Sequence, residues 1–188
     1  MIVPQLVTAQ DVVDAVLATI RTYLPNVLPK VGDGTLLMPV SYARPSTGAA
    51  RLDAAACPVV SVSVVGSEGV TEREQGYLSM RWSLDVMALV RSADGTYEST
   101  MRDGALYAAA LFTVLTERGD LQGFARDTYE LAESYDDADP TAGRTLAEVH
   151  VTGVVHVTDA RRRQIKFTLP GVVPATPIAT TTTVTVHK

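Results

Sequence analysis

The sequence predicts an α+β fold: a mostly antiparallel sheet with a long β-hairpin, packed against two helices and followed by an extended C-terminal arm. Two segments repeat apolar residues with the period of an amphipathic helix, and two long segments alternate apolar and other residues as strands do. The elements follow the order helix, strand, long strand, helix, strand, long strand. With 188 residues, 46% of them hydrophobic, the chain can form one domain with a substantial core, predicted over residues 1–158.

The first element is a helix predicted over residues 9–24. Thr8 is suited to cap its N-terminus, and Asp11 is favourable in its first turn. Pro25 and Pro29 are expected to end the helix, because proline removes a backbone donor and clashes with the preceding turn. The stripe that would face the core consists of Val12, Ala15, Val16, Thr19, Ile20 and Tyr23.

A long loop is predicted next, over residues 25–58. This stretch is rich in Pro and Gly and has no sustained period, apart from a short strand predicted near 35–40. Loops longer than about 15 residues in compact domains are commonly functional or ordered against a partner. The loop is therefore a candidate interaction surface.

The hairpin that follows has two unequal strands. Residues 59–65 are rich in Val and Ser, and the charged connection 66–76 contains Glu72, Arg73 and Glu74. The second strand, residues 76–90, would be roughly 45 Å long at about 3.3 Å per residue, more than twice the usual length. Its alternating apolar residues are Leu78, Met80, Trp82, Leu84, Val86, Ala88 and Val90.

The second face of the long strand changes character along its length. It is polar as far as Asp85 and becomes apolar at Met87 and Leu89. We therefore predict that residues 85–90 lie in the core, whereas residues 77–83 project from the body. Three apolar side chains of the projecting part, Leu78, Met80 and Trp82, are expected to need a partner.

The second half repeats the helix–strand–strand order. Residues 97–118 are predicted to form a helix that covers the sheet and ends at Gly119. Gly104 inside it costs about 1 kcal/mol relative to Ala, which is tolerable where backbones pack closely. Two further strands are predicted, one beginning at Asp127 and ending in an acidic turn, and a long one over residues 145–158.

The C-terminal arm, residues 159–188, differs in charge from the rest of the chain. Asp159 stands against Arg161, Arg162, Arg163, Lys166 and Lys188, so the arm carries +4 and the preceding residues carry −9 of the total of −5. Three prolines within eight residues prevent regular structure, and a Thr/Val-rich end follows that favours extended backbone. We expect the arm to meet an acidic surface, which could be nucleic acid, the body of the same chain or that of a neighbouring copy. Its β-prone end is suited to strand addition at an exposed sheet edge.

The cysteine content and the N-terminal sequence indicate the cellular compartment in which the protein is made. Cys57 is the single cysteine, which excludes an intrachain disulfide and a multi-cysteine zinc site. The N-terminal residues lack the pattern of a signal peptide, and no apolar run reaches the ~18 residues of a membrane span. We expect a protein without membrane segments that is made in a cytoplasm.

No catalytic, metal or cofactor site is predicted. His150 and His156 share a strand face, but six residues in a strand separate them by about 20 Å, too far for one metal ion. The acidic cluster Asp136, Asp137 and Asp139 lacks the glycine and distal glutamate of an EF-hand loop. The glycine-containing stretches lack the lysine of a P-loop, and no Gly-x-Ser-x-Gly elbow occurs. We therefore expect a protein that is not an enzyme.

The order of elements supports a resemblance to a known protein family. An N-terminal helix and a long loop come first, and a valine-rich strand closes the series. Between them lie the stretches "PVVSVSVVGSEG", "GYLSMRWSLDVMALV" and "TYESTMRDGALYAAALFTVL". In element order, residues 5–158 resemble the tail terminator proteins of long-tailed bacteriophages, and related neck and tail-completion proteins share much of this outline. The resemblance implies a structural virion protein, assembled in the bacterial host cytoplasm. It would form a ring, usually a hexamer, that ends tail-tube polymerisation and joins tail to head.

The resemblance also implies partners. They would be further copies of the chain, the tail-tube protein and the head–tail connector, with DNA passing through the lumen without specific binding. The hairpin 66–76 and the loop 25–58 are the segments expected to contact them.

Other functions remain open from the sequence. The chain could be another neck, connector or tail-tube protein, or a small hydrolase or transferase, although no residue spacing announces a catalytic pocket. A nucleic-acid-binding module would use Arg161, Arg162, Arg163 and Lys166, with Phe167 as a stacking ring, and its binding would weaken steeply with salt.

Overall fold

The computed structural model describes residues 7–32, 34–43, 57–68, 79–138 and 146–158, without the side chains of residues 136–138. Its elements are α1 (Ala9–Val31), β1 (Ser41–Ala43), β2 (Val59–Glu68), β3 (Met80–Val90), α2 (Tyr97–Glu117), β4 (Asp127–Ala138) and β5 (Leu146–Val157). The strands form one sheet in the order β1-β2-β3-β5-β4, in which only the β1–β2 pair is parallel. The predicted α+β class with a mostly antiparallel sheet is confirmed. The C-terminal arm lies outside the described residues.

The topology consists of two successive helix–strand–strand units. The first unit is α1, β2 and β3, and the second is α2, β4 and β5. The second strands of the two units, β3 and β5, lie side by side in the centre of the sheet, and the first strands lie outside them. The two units thus meet through β3 and β5, and through contact between their helices.

Helix α1 begins as predicted. The Thr8 hydroxyl accepts a hydrogen bond from the Asp11 backbone N–H at 3.3 Å, and the Asp11 carboxylate accepts one from the Thr8 N–H at 2.8 Å, which forms a capping box. Each residue satisfies a backbone donor that the helix itself leaves unpaired. The sequence-based start at residue 9 is therefore confirmed.

The predicted end of α1 is wrong, because the helix continues through Pro25 and Pro29 to Val31. Both prolines lie on the exposed face, so the carbonyls that lose a donor are turned toward water. On the opposite face Leu24 and Leu28 are fully buried. Burial of such a leucine stabilises by about 1.5–3 kcal/mol, which offsets much of the cost of about 3 kcal/mol for each internal proline.

The short strand of the loop is shifted from its predicted place. Strand β1 occupies Ser41–Ala43 instead of residues 35–40, and it pairs in parallel with the start of β2. Pro39 has no N–H for a ladder, and Leu36 is buried beneath Gly32, where a Cβ would lie 2.4 Å from its Cγ. The chain therefore reaches extended pairing only after Val40, whose N–H donates to the Pro58 carbonyl at 2.8 Å.

One face of the sheet carries the core. Helix α1 packs over β2, and α2 packs over β5, β3 and β4. The alternation in β3 and β5 sends every second side chain toward these helices, as predicted. The strand residues of this core are Val60, Val62, Trp82, Leu84, Val86, Ala88, Val90, Val149, Val151, Val155 and Val157.

The expectation that residues 77–83 project from the body needs correction for the part that is described. Strand β5 pairs with β3 as far as Met80, which lies opposite Val157. Trp82 is only 7% exposed and belongs to the core, and Met80 packs against the core as a half-buried residue. The long alternation of β3 therefore reflects pairing with β5 on one side and β2 on the other, within the body of this chain.

Helix α2 is fixed at its start by side-chain hydrogen bonds. Thr96 caps it by accepting from the Ser99 N–H at 3.3 Å, and the Asp94 carboxylate accepts from the Ser99 hydroxyl at 2.6 Å and from the Thr96 N–H at 3.0 Å. The hydrogen bond from Ser99, followed by that from Thr96, lowers the pKa of Asp94 to about 2. The helix ends at Glu117, one residue before the predicted limit.

A bulge bends the edge strand β4. Tyr129 pairs with Val154 and Ala132 pairs with Thr152, so two residues of β4 stand opposite Gly153. The first of them, Glu130, has a positive φ of 55°. The second, Leu131, extends over Gly153, where a Cβ would lie only 2.6 Å from the Leu131 Cδ2. Because Gly153 has no side chain, the Leu131 side chain can pack over it at the bulge.

Gly104 allows the close contact between α2 and β5 that the sequence indicated. A Cβ at this position would lie 2.9 Å from the Ala147 Cβ and 3.4 Å from the Val149 Cγ1. We predict that Gly104→Val lowers the free energy of unfolding by about 2 kcal/mol, because the added methyl groups force the helix away from the sheet. Urea denaturation followed by the fluorescence of Trp82, the single tryptophan, measures this change.

The control for this substitution is Ala105→Val on the exposed face of α2. It introduces the same β-branched side chain into the same helix without a neighbour to displace, so its cost should stay below about 0.7 kcal/mol. Equal costs for the two variants would contradict the close packing described for Gly104.

Candidate interaction surfaces

Of the interface residues predicted from the sequence, two fall in the described part of the chain. These are Met80 and Trp82, and both serve the core of the chain itself. The expectation that Trp82 faces another subunit is therefore wrong. The remaining predicted residues lie outside the described residues: Leu78, Glu72, Arg73, Glu74, Arg161, Arg162, Arg163 and Lys166.

Trp82 and its neighbour Arg81 nevertheless carry an unusual feature. Within the part of the chain that the structure describes, the buried Trp82 Nε1 and Arg81 Nε have no hydrogen-bond partner. An unpaired buried donor costs about 1–3 kcal/mol. Both atoms lie near the end of β3 that joins the hairpin connection.

The segment 34–43 is the part of the predicted loop that the structure describes after α1, and it is held firmly. The buried Tyr107 hydroxyl of α2 donates a hydrogen bond to the Leu37 carbonyl. Arg21 of α1 donates to the Tyr42 carbonyl at 3.1 Å, and its guanidinium lies 5.3 Å from the centroid of the Tyr42 ring. Burial, and then the neighbouring Tyr42 and Asp103, raise the pKa of Tyr107, so it remains a hydrogen-bond donor.

Three apolar side chains of this segment point into solvent. Leu37 is 42% exposed, Met38 45% and Val40 66%. The backbone that carries them is held by hydrogen bonds at Leu37, Val40 and Tyr42. An apolar patch held outward by ordered backbone is typical of a surface that contacts another protein. We call this set of three residues the loop patch.

The face of the sheet opposite the helices carries a cluster of charged groups. His150 on β5 lies between two carboxylates, with Nδ1 2.9 Å from the Asp85 Oδ1 of β3 and Nε2 3.1 Å from the Glu148 Oε1. Both ring nitrogens can donate only when the imidazole is protonated. The geometry therefore favours an imidazolium that joins the two central strands.

The protonation of His150 reflects opposing effects. Burial by itself lowers the pKa of His150, but hydrogen bonds to Asp85 and Glu148 and the charges of these residues outweigh it. The net effect raises the pKa of His150 above its usual value of 6.5. The His150 side chain is only 19% exposed.

This charged cluster has the character of a cross-strand contact. Among the residues that the structure describes, no group of three or more His, Cys, Asp or Glu side chains could hold a metal ion. The carboxylates bind opposite sides of one imidazole ring and do not converge on a common point. The cluster therefore stabilises the pairing of β3 with β5 when His150 is protonated.

The outer edge of β4 forms a second candidate surface. This strand ends the sheet, and its pairing within the described ranges is with β5 alone. Beyond the bulge, Ala132, Glu133, Ser134 and Tyr135 are all exposed. The Tyr135 hydroxyl donates to the Glu133 carboxylate at 2.6 Å, and this bond, with smaller contributions from burial and charge, raises the pKa of Tyr135 to about 12.

The sequence analysis located one of these surfaces only in outline and missed the other. It identified residues 25–58 as an interaction loop but did not single out Leu37, Met38 or Val40, because a short apolar run without a period does not reveal its exposure. The strand from Asp127 was recognised, yet nothing in its residues states that it is an edge. The position of β4 at the edge follows from the order of all strands in the sheet.

Comparison with protein-family models and with curated proteins found no match to this chain. Among the described residues, neither helix is long and apolar enough to cross a membrane.

The His150 cluster predicts a pH-dependent contribution to stability. A raised folded-state pKa means that the contribution is fully present below the unfolded value of about 6.5 and is lost as the pH rises through the folded pKa. We expect His150→Gln to lower the free energy of unfolding by about 1 kcal/mol at pH 5.5 and by clearly less at pH 9. Urea titrations at the two pH values measure the difference.

Thr152→Gln, an exposed position on the same strand and face, is the matched control. Its effect should be the same at both pH values, because no titrating group is removed. A cost of His150→Gln that stays constant from pH 5.5 to pH 9 would refute the imidazolium contact.

Proposed function

We propose that this chain is a structural component of a bacteriophage tail, a tail terminator that forms a ring at the head-proximal end of the tail tube. In this role it ends tube polymerisation and joins the tail to the head connector. The protein would act by assembly, without catalysis, and DNA would pass through the ring without specific binding. Its location would be the virion, after assembly in the cytoplasm of the bacterial host.

The observation that carries this proposal is the loop patch. Leu37, Met38 and Val40 are presented to solvent on backbone that is fixed to both helices. A subunit of a closed ring would cover these three side chains by contact between identical copies. The loop from which they come is also the one that the family resemblance implies as a contact segment.

The element order adds support. The helix–strand–strand repeat of the structure agrees with the order of elements on which the resemblance to tail terminators is based. The negative charge of residues 1–158 also suits a conduit for DNA, since like charges do not retain the passing polymer.

The first test is the mass of the full chain in solution, alone and with purified tail tubes. We expect a closed oligomer that stops tube growth. Val40→Glu should weaken self-association by about tenfold or more, because a charge would be buried in the contact. A chain that stays monomeric and leaves tubes uncapped would contradict the proposal.

The control for this test is Ala105→Glu, which adds the same charge at an exposed position of α2, away from the loop patch. It should leave the mass unchanged. If both variants lose assembly equally, net charge and not the loop patch governs association.

The second test removes the C-terminal arm. Deletion of residues 160–188 should weaken assembly while the circular dichroism spectrum of the body stays intact, because these residues supply +5 against the −10 of the remaining chain. Unchanged assembly would refute a role for the arm. Salt-sensitive binding of the full chain to DNA that depends on residues 161–166 would instead support the nucleic-acid alternative.

A further inference from the structure

We propose that the open edge of β4, from Ala132 to Ala138, accepts residues 178–188 of a neighbouring copy as an added β-strand. This inference rests on the proposed function, since it requires copies of the chain to associate. It names the surface and the segment through which two neighbours are joined.

The acceptor is a regular stretch of edge strand. After the bulge, β4 pairs with β5 without interruption from Ala132, opposite Thr152, to Ala138, opposite Leu146. In a paired edge strand the backbone groups that do not bond to the inner neighbour point outward. Ala132, Glu133, Ser134 and Tyr135 are exposed, so this stretch is accessible to an incoming strand.

The other edge of the same sheet already shows this kind of pairing. Strand β2 occupies the position in its helix–strand–strand unit that β4 occupies in the second unit. An extended segment of the chain, β1, pairs with the outer edge of β2 at Ser41–Ala43. The sheet thus accepts a short added strand at one end, and the equivalent place at the other end is open within the described residues.

The donor segment has the composition that such an edge requires. Residues 178–188 read "IATTTTVTVHK" and are free of proline, with β-branched residues at most positions. The run from Thr180 to Val186 has the same length as the regular part of β4. Main-chain hydrogen bonds would supply the affinity of this pairing, as in other cases of strand addition.

The connection to this segment favours a neighbouring copy as its source. Strand β5 ends beside the start of β4, where the Arg126 N–H donates to the His156 carbonyl at 2.8 Å. The chain's own β4 edge is then one strand spacing away, about 5 Å, which a few residues would cross. Residues 159–177 contain three prolines and can span ~60 Å as a semi-rigid spacer at ~3.1 Å per residue.

Opposite charges on the arm and on β4 also favour this pairing. The spacer carries Arg161, Arg162, Arg163 and Lys166, and β4 presents the carboxylates of Asp127, Glu130 and Glu133 at exposed positions. Attraction between the basic spacer of one copy and the acidic edge strand of the next would bring the donor segment to its acceptor. This attraction acts over about one Debye length, so association should weaken with added salt.

Disulfide trapping in the full-length protein tests the inference. In a Cys57→Ser background, Ser134→Cys forms one population, and Thr181→Cys or Thr182→Cys forms the other, so that one donor position matches the face of Ser134. After mixing and mild oxidation, we expect a disulfide between the two populations at about tenfold the yield obtained with Thr152→Cys, because pairing raises the effective concentration of the two thiols.

The outcomes separate this inference from the proposed function. Assembly in solution without any disulfide between the populations would overturn the inference and leave the ring proposal standing. A chain that carries both Ser134→Cys and Thr182→Cys and forms only an intramolecular disulfide would also overturn it, because the donor would then be the chain's own segment. A strictly monomeric chain would overturn both.

Discussion

The fold depends on the antiparallel pairing of β3 with β5. This pairing joins eleven residues of each strand in continuous register, from Met80 opposite Val157 to Val90 opposite Ala147. A register without a break keeps all inward side chains of both strands on the same face. Those side chains are mainly valine, and helix α2 packs on them. This strand pair joins the two halves of the chain, together with the contact between their helices, and its alternating pattern is visible in the sequence.

Because the helices cover only one face, the groups on the other face need their own stabilisation. His150 provides it by linking Asp85 on the neighbouring strand with Glu148 on its own. This contact lies across the same central pair that carries the core. The two candidate surfaces lie at the rim of the sheet, with the loop patch beside β1 at one side and the β4 edge at the other.

The sequence predicts strands and helices well wherever burial has a regular period. Leu84, Val86 and Ala88 alternate in the sequence and in the structure, and α2 deviates by one residue from its predicted end. Prediction from the sequence fails where tertiary contacts determine whether a segment is helical. Pro25 and Pro29 look like helix stops, but the buried Leu24 and Leu28 beside them keep α1 helical. Local patterns do not contain this information.

The candidate surfaces also depend on tertiary contacts that the sequence does not reveal. Trp82 looked like a residue for another subunit because the strand seemed too long for its own domain, yet β5 covers that length. The contact between Asp85 and His150 joins residues far apart in the chain, so spacing along the sequence could not reveal it. Exposure of Val40 and the edge position of β4 are likewise properties of the assembled sheet.

The division into two helix–strand–strand units also bears on how the chain folds. Each unit contains a hairpin that closes a short loop, whereas pairing β3 with β5 must close a loop of roughly 55 residues, at an entropic cost that grows with the logarithm of loop length. Contacts of this separation form late and slowly. The loop patch is anchored by Arg21 of the first unit and Tyr107 of the second, so it takes its final form only once the two halves have docked. The surface that would recruit neighbours is thereby withheld from chains that are still incompletely folded.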